Sequence, residues 1–244
     1  MRMTIQVRSL VSAAALVAGV FAAAAVSALP LSVGDTVNVS DQNSNAFTPS
    51  SYSGGLYQGV SYTLNGVSRS SSAGMFVLDY QHVTPTATTS WTQFLSFCLE
   101  PDVLLTPFSN PYTVNSVGGA AEYASVAAQI SELWGRYRSS IDSDMEAAAF
   151  QVSLWELAYD SSTSLGAGNF RMDTGSGVGQ LAQSWLSSLN GTGPMASGLV
   201  ILVNNPNKAD KQDLLTQVPE PGTLGLLGLG LLGVGMARRR TAVA

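Results

Sequence analysis

The chain has 244 residues, of which 45% are hydrophobic and only 11% are charged, and its formal net charge is −5. Between residues 29 and 218, six basic residues stand against fifteen acidic ones, which gives this part a net charge of −9. Such an acidic domain repels nucleic acid and anionic lipid, so we expect no nucleic-acid partner. His82 is the only histidine, which excludes metal sites built on several histidines, and we expect neither a metal nor a cofactor.

Residues 1–28 have the pattern of a secretory signal peptide. Arg2 and Arg8 precede an uncharged run at 10–26 that is rich in Ala and Val, and small residues at 26–28 suit a signal peptidase. We therefore expect export through the Sec machinery and a mature chain that begins near residue 29. The alternative is an uncleaved N-terminal anchor, against which the run is short and ends in a cleavage-type site.

The first half of the mature chain predicts strands. A short strand is expected at 35–39, within an N-terminal strand-and-loop segment at 29–56 that is rich in Ser, Asn, Gly and Asp. Alternating, β-branched and aromatic patterns predict three further strands at 57–64, 75–83 and 92–99. Clusters of Gly and Ser between these runs predict turns. Prolines at 101, 107 and 111 forbid a regular element in the passage that follows.

The pattern then changes from strand to helix. Apolar residues at helical spacing predict a first helix at 120–137. Ser143 and Glu146 have the spacing of a capping box, which predicts a second helix that ends near Tyr159. A third helix is expected at 178–189, and strands return at 199–203 and 213–218. This order predicts an α+β fold, with an antiparallel sheet or barrel-like part followed by a small helical bundle and returning strands.

The C-terminal residues 219–244 combine three features. Pro219, Glu220 and Pro221 come first, an uncharged segment at 222–237 follows, and Arg238, Arg239 and Arg240 form a basic cluster. The uncharged segment predicts a transmembrane helix of roughly 24 Å, which is short for a hydrocarbon core of about 30 Å but can be accommodated. The arginines place its end in the cytoplasm, and the domain before it therefore lies outside the inner membrane.

These three features resemble the PEP-CTERM sorting signal of Gram-negative bacteria. The resemblance implies that exosortase, a membrane-embedded transpeptidase or protease, cuts near the Pro-Glu-Pro motif and removes the helix. The mature protein would then go to the cell surface or to the extracellular polysaccharide matrix of a biofilm. A plain C-terminal membrane anchor is the alternative, and residues 206–218 would be a terminal strand or linker in either case.

Two residues in the predicted core attract attention. Cys98, the only cysteine, lies at the end of the strand predicted at 92–99. Gln151 lies in the middle of the apolar stripe of the second helix, whereas Glu146, Ser153 and Glu156 fall on its far side. A buried carboxamide without partners costs about 1–3 kcal/mol, so a glutamine at that position requires an explanation.

The sequences FCLE at 97–100 and FQVSLWE at 150–156 resemble the cysteine and glutamine motifs of bacterial thioester domains, which occur on surface adhesins. The resemblance covers about residues 57–205. It implies that Cys98 supplies the sulfur and Gln151 the acyl group of an internal thioester, formed with loss of ammonia. Trp155 matches the family's tryptophan one turn later, and Phe97 matches its aromatic residue before the cysteine; both would shield the bond.

The resemblance implies a single-turnover reaction in which an amine-bearing surface target is captured, so we expect an adhesin and not an enzyme. Three alternatives remain open for the two residues. Cys98 can be an inert core thiol or form an intermolecular disulfide, and Gln151 can simply hydrogen-bond a backbone group. The protein would then be a noncovalent structural or matrix protein. A polysaccharide hydrolase is disfavoured because no convergent acid and base pair is evident.

Other candidate residues have ordinary interpretations. We expect His82 to be structural, and Asp142, Asp144 and Glu146 to mark a helix start rather than a calcium loop. Glu100 and Asp102 are close enough in sequence to form a carboxylate pair, but a solvated surface position is expected for both.

Overall fold

The computed structural model of the chain describes residues 30–40, 55–83, 90–103, 111–160, 162–175, 177–204 and 212–218. The predicted signal peptide at 1–28 and the sorting segment at 219–244 lie outside these ranges. Within the described ranges, no helix combines the length and the apolar character needed to cross a bilayer.

The described residues form eight strands and three α-helices. The strands are β1 Thr36–Ser40, β2 Leu56–Leu64, β3 Val67–His82, β4 Thr92–Cys98, β5 Tyr112–Ser116, β6 Phe170–Arg171, β7 Leu199–Asn204 and β8 Leu214–Gln217. The helices are α1 Ala127–Tyr137, α2 Asp144–Asp160 and α3 Gly177–Ser188. Short 3₁₀ turns at Ala124–Val126 and Arg138–Ser140 flank α1.

Six of the strands close into an antiparallel barrel. Its order is β1-β5-β7-β8-β4-β3, and β3 pairs with β1 to complete the circle. Apolar side chains from all six strands fill its interior, among them Val37, Leu78, Val114, Leu202 and Leu214. The prediction of an α+β fold with an antiparallel, barrel-like part is confirmed. Closure depends on β1 and β8, which both lie outside residues 57–205.

A long hairpin of β2 and β3 extends beyond the barrel, and we call the paired residues 59–63 and 68–72 the ribbon. Asn65 and Gly66 make its turn with φ angles of 52° and 79°, the left-handed pair that a two-residue type I′ hairpin requires. The predicted turn after the strand at 57–64 is found at Asn65 and Gly66, but the Ser-rich residues 68–72, which were also expected to form a turn, are strand. The weak turn preference of serine yields here to a continuous ladder with β2.

Two further elements, a strand and a helix, differ from the prediction. Strand β5 was not predicted, since its five residues directly follow the Pro-rich passage, although Tyr112 and Val114 show the alternation of a half-buried strand. Helix α1 begins at Ala127 and not at 120, because the backbone of residues 119–126 is already used in tight turns. The N–H groups of Gly119 and Ala120 both donate to the Ser116 carbonyl.

The helices cover the outer face of the barrel and the base of the ribbon. Helix α2 packs against β3 and β2 and is flanked by α3 and α1. The predicted capping box at its start is confirmed. The Glu146 N–H donates to Ser143 Oγ at 3.4 Å, and the Ser143 N–H donates to Glu146 Oε2 at 3.1 Å. This reciprocal pair fixes the first turn of α2.

A buried carboxylate joins α1 to the turn after α3. Glu132 is 1% exposed and accepts hydrogen bonds from Arg136 at 2.7 Å and from the N–H groups of Gly191 at 2.8 Å and Gly193 at 2.9 Å. Burial alone would raise the pKa of Glu132, but these donors outweigh burial and lower the pKa to about 2. The carboxylate is therefore a charged anchor for residues 190–193.

Replacing this anchor tests its contribution. We expect Glu132→Gln to lower the free energy of unfolding by about 2–4 kcal/mol at pH 7, because it removes a buried charge from its donors. Since the folded pKa is depressed, the wild-type contribution is present above the ordinary value of 4.5 and is lost as pH falls towards about 2. Urea denaturation at several pH values measures both effects.

The matched control is Asp173→Asn, which removes an exposed carboxylate and should change the free energy of unfolding by less than about 0.5 kcal/mol. Equal losses in the two variants would contradict the anchoring role of Glu132.

Candidate functional site at the end of strand β4

Cys98 is the last residue of β4 and is 3% exposed. The side chains of β4 alternate between two environments. Phe94 and Cys98 belong to the cluster inside the barrel, whereas Phe97 packs into the cluster between barrel and helices, as does Leu99 just after the strand. The predicted core position of Cys98 is thus found, with its side chain on the barrel side of the strand.

The backbone of Cys98 lacks a strand partner on one side. Leu99 donates its N–H to the Asp213 carbonyl at 3.0 Å, so the backbone groups of Leu99 face β8. Successive residues of a strand direct these groups to opposite edges, and those of Cys98 therefore face the β3 edge. There, however, the pairing of β4 with β3 ends at Ser96.

Gln151 occupies this vacated edge. The Cys98 N–H donates to Gln151 Oε1 at 2.9 Å, and Gln151 Nε2 donates to the Cys98 carbonyl. The carboxamide thus makes the two hydrogen bonds that a neighbouring strand would make, and Gln151 is 0% exposed. The structure brings together the two residues that sequence motifs singled out, although 53 positions separate them.

Helix α2, which carries Gln151, is buried on every side from Ala147 to Leu157. The far side of the wheel is therefore not a solvent face. Ser153 is 0% exposed and donates to the Ala149 carbonyl at 2.8 Å, while α3 lies against it through Ala182. The wheel placed Ser153 on the side away from the apolar stripe, but α3 covers Ser153, and α2 is the central helix of the domain.

The two aromatic residues predicted to shield the site are both buried. The Phe97 ring lies 4.7 Å from the Phe150 ring and 5.7 Å from the Trp134 ring, measured between centroids. Trp155 is 1% exposed and packs against Tyr62 at 5.7 Å and Phe170 at 6.0 Å. These contacts form an aromatic layer around the middle of α2, and layers of this kind exclude water from a core.

The electrostatic surroundings of Cys98 keep its thiol protonated. Burial raises the pKa of Cys98 strongly, and the negative charge of Glu100 raises this pKa further. A neutral, enclosed thiol reacts slowly with oxidants and alkylating agents because the thiolate is the reactive form.

Three carboxylates converge next to this strand end. Glu100, Glu122 and Asp213 each place an oxygen within 4.8 Å of the others, and we call them the acidic cluster. Glu100 Oε2 accepts from the Asp213 N–H at 2.9 Å, and the Tyr123 hydroxyl donates to Asp213 at 3.1 Å. Carboxylate oxygens at such distances are the donor set that a hard cation would require.

The acidic cluster corrects the expectation for Glu100. Its carboxylate converges with those of Asp213 and Glu122, and Glu100 is half-buried rather than fully solvated. Asp102 is exposed and accepts instead from the Tyr159 hydroxyl. Glu100 and Asp213 are 113 positions apart, so only the pairing of β4 with β8 reveals the cluster.

Two small cavities open beside the acidic cluster. One has a volume of about 240 Å³ and is lined by Leu99, Glu100, Glu122, Tyr123, Ala158 and Tyr159. The other has a volume of about 310 Å³ and shares Glu122 and Tyr123 with the first. The acidic groups therefore face open space, and one of them, Glu100, is two residues beyond Cys98.

His82 lies elsewhere in the barrel. Its Nδ1 is 3.6 Å from an Asp35 carboxylate oxygen, and its ring meets the Tyr80 ring edge-on. Both contacts fit a structural residue.

Sequence patterns also missed a buried acid on α2. Glu156 is 0% exposed, Ser162 donates to its Oε1, and its Oε2 has no hydrogen-bond partner among the described residues. Burial raises the pKa of Glu156 to about 7, and the nearby charge of Asp160 adds to this effect. The helix that holds Gln151 thus carries an acid that changes charge near neutral pH.

The raised pKa of Glu156 predicts that the free energy of unfolding depends on pH. Because its folded pKa is raised above the ordinary 4.5, its contribution is fully present below about pH 4.5 and is lost as pH rises through about 7. We expect the wild-type free energy of unfolding to fall on the order of 2–3 kcal/mol more than that of Glu156→Gln between pH 5 and 8. Urea titrations at matched pH values measure the difference, and parallel pH profiles would contradict it.

The architecture is therefore an antiparallel barrel with helices on its outer face and a buried cysteine–glutamine pair at a strand end. Residues 217–240 match the family model described as the PEP-CTERM protein-sorting motif. The chain thus carries the sorting motif of an exported protein, which is membrane-anchored before exosortase processes it and is then released to the cell surface.

Among solved structures, the chain is similar to an N-terminal thioester domain of a surface protein from Clostridium perfringens. The two share 13% sequence identity with a TM-score of 0.36, and the match covers 66% of this chain and 100% of that chain. A comparison with curated proteins finds no match.

Proposed function

We propose that this protein is a surface adhesion module whose Cys98 and Gln151 form an internal thioester that captures amines covalently. The observation that carries the proposal is the double hydrogen bond between the Gln151 carboxamide and the Cys98 main chain. It holds the electrophilic carbon of Gln151 beside the residue that bears the sulfur, in a site closed to water.

Bond formation needs no outside reagent. The Cys98 thiol turns about χ1 towards the carboxamide, and Sγ attacks Gln151 Cδ. The C–N bond breaks, the thiol proton goes to the departing nitrogen, and ammonia leaves. Orientation within a folded core can supply several orders of magnitude in rate for such an intramolecular step.

In the capture step, the Cys98 sulfur becomes the leaving group and the target amine becomes the nucleophile. The nitrogen of a target amine forms a bond to Gln151 Cδ, the C–S bond breaks, and a proton passes from the amine to the Cys98 sulfur. The product is a stable amide to the target and a free thiol. Each molecule reacts once, so the protein is not an enzyme, and no cofactor or metal takes part.

The acidic cluster favours cationic amines in this scheme. Its three carboxylates line two cavities, and one of them, Glu100, follows Cys98 by two residues in a domain that is already acidic. Clefts lined by one sign of charge concentrate ligands of the opposite sign. Lysine side chains on a surface protein are the amines that fit this potential.

The sorting motif supports a site of capture outside the cell. After exosortase removes the C-terminal segment, the domain would reside on the surface of a Gram-negative cell or within its biofilm matrix. Its targets there would be amine-bearing surfaces or proteins embedded in extracellular polysaccharide.

A noncovalent matrix protein of the same fold is the second candidate, and one observation favours it. The two hydrogen bonds already satisfy both Gln151 and the edge of β4, so the glutamine has a structural reason to be buried. In that case Cys98 is an inert core thiol.

Intact mass distinguishes the two candidates. For the full exported protein we expect a deficit of one ammonia relative to the sequence, and methylamine should convert this species to an adduct with one new free thiol. Cys98→Ala and Gln151→Ala should show the full mass and no adduct. Circular dichroism of both variants verifies that they fold.

A wild-type protein with full mass, whose thiol titrates only after denaturation, would exclude the thioester and establish the second candidate.

The acidic cluster gives a separate prediction about selectivity. Glu122 is exposed, so Glu122→Gln should leave folding intact. We expect it to slow capture of a cationic diamine on the order of two- to fivefold at low salt, and to leave capture of neutral hydroxylamine unchanged. Mass spectrometry over time measures both rates, with Asp173→Asn as a charge-matched control. Equal slowing of both nucleophiles would contradict electrostatic selection.

A further inference from the structure

Two Asn-Gly pairs in the chain have the same local sequence. Asn65 and Gly66 form the first pair, Asn190 and Gly191 form the second, and a leucine precedes each. All four residues are exposed, and the two glycines have nearly the same φ angle, 79° and 77°. Local sequence, exposure and glycine conformation therefore do not distinguish the two pairs.

An Asn-Gly pair can lose ammonia by a reaction within the chain. The backbone nitrogen of the glycine gives its proton to hydroxide and attacks Cγ of the asparagine. The C–N bond of the carboxamide breaks, the nitrogen leaves as ammonia with a proton from water, and a succinimide ring remains. Water then opens the ring at either carbonyl and yields aspartate or isoaspartate. Glycine favours the reaction because it has no side chain to hinder the approach.

The second pair is restrained by a charged network. The Gly191 N–H donates to Glu132 Oε2 at 2.8 Å. Asn190 Oδ1 accepts from the Thr192 N–H at 3.0 Å and from Arg136 Nη2 at 3.3 Å, and these bonds hold the carboxamide in its orientation. Loss of the Gly191 proton would place a second negative charge beside the buried Glu132 carboxylate, and a neighbouring like charge disfavours ionisation. The nucleophile of this pair is therefore suppressed.

The first pair lacks these restraints. Asn65 and Gly66 are the two residues of the hairpin turn at the tip of the ribbon. The Asn65 N–H donates to the Asn169 carbonyl at 2.8 Å. Within the described residues, however, neither the Asn65 carboxamide nor the Gly66 N–H has a hydrogen-bond partner. The electrophile and the nucleophile of this pair are both available.

We propose that Asn65 is a site of spontaneous deamidation and that Glu132 protects Asn190 from the same reaction. The aspartate product keeps the turn, because Asp-Gly also suits a type I′ hairpin. The isoaspartate product adds a methylene group to the main chain, so the two-residue turn that sets the register of the ribbon is lost. The modification acts on the ribbon, and neither Cys98 nor Gln151 takes part.

Peptide mapping by mass spectrometry measures both sites in one sample of the exported protein, incubated in mildly alkaline buffer. In the folded protein we expect Asn65 to lose ammonia at least about tenfold faster than Asn190, as expected when one charge-assisted hydrogen bond must be broken. In urea the two rates should agree, because the local sequences match. Equal rates in the folded protein, or faster loss at Asn190, would overturn the proposal.

Glu132→Gln tests the protecting charge with a side chain of the same shape. We expect faster loss of ammonia at Asn190 and an unchanged rate at Asn65, while Asp173→Asn should change neither rate. Circular dichroism verifies that Glu132→Gln stays folded during the incubation. An unchanged rate at Asn190 in the folded variant would refute protection by Glu132. The comparison of folded and urea-treated wild type tests the difference between the sites without any variant.

Asn65→Gly removes the carboxamide and leaves a Gly-Gly pair, which also suits the turn. Amides at the tip of the ribbon should exchange hydrogen faster in the wild type as isoaspartate accumulates, but not in Asn65→Gly after the same incubation. Equal acceleration in both proteins would contradict the proposed effect on the ribbon. Cys98→Ala should lose ammonia from Asn65 at the wild-type rate, which separates this result from the fate of the thioester.

Discussion

The pairing of the Gln151 carboxamide with the Cys98 main chain is the constraint on which the arrangement of this domain depends. Strand β3 leaves β4 after Ser96 in order to continue with β2, and this departure exposes one edge of β4 inside the core. A buried N–H and carbonyl without partners would cost several kcal/mol in total. A side chain from α2 supplies both bonds, so the barrel, the ribbon and the central helix are joined at one residue.

The proposed thioester would remove one of the two hydrogen bonds in this pairing. Loss of ammonia removes Nε2, the donor to the Cys98 carbonyl, whereas the former Oε1 can still accept from the Cys98 N–H. The thioester state would therefore exchange one buried hydrogen bond, worth about 1–3 kcal/mol when left unmade, for a covalent link between α2 and β4. A rigid core would tolerate this exchange, because the covalent bond would maintain the register that the hydrogen bond fixes.

Local signals predicted much of this fold, and long-range pairing explains what they did not predict. The capping box at Ser143 and Glu146 fixed the start of α2, and alternating side chains located β2 and β4. The helical wheel placed Gln151 in the core but suggested a polar face at Ser153 and Glu156, because a wheel contains no information about α3. The acidic cluster was invisible for a similar reason, since Glu100 and Asp213 become neighbours only when β8 pairs with β4.

The charges around Cys98 give the proposed reaction a direction. The burial and the Glu100 charge that raise the pKa of Cys98 make its thiolate a costly product, so the sulfur must leave with a proton. An ammonium drawn to the acidic cluster must first give one proton to a carboxylate or to water, and the neutral amine that then attacks carries the proton that the departing sulfur needs. Once protonated, the thiol is a weak nucleophile towards the new amide. The environment that makes Cys98 unreactive as a free thiol would therefore make capture of a cationic amine effectively irreversible.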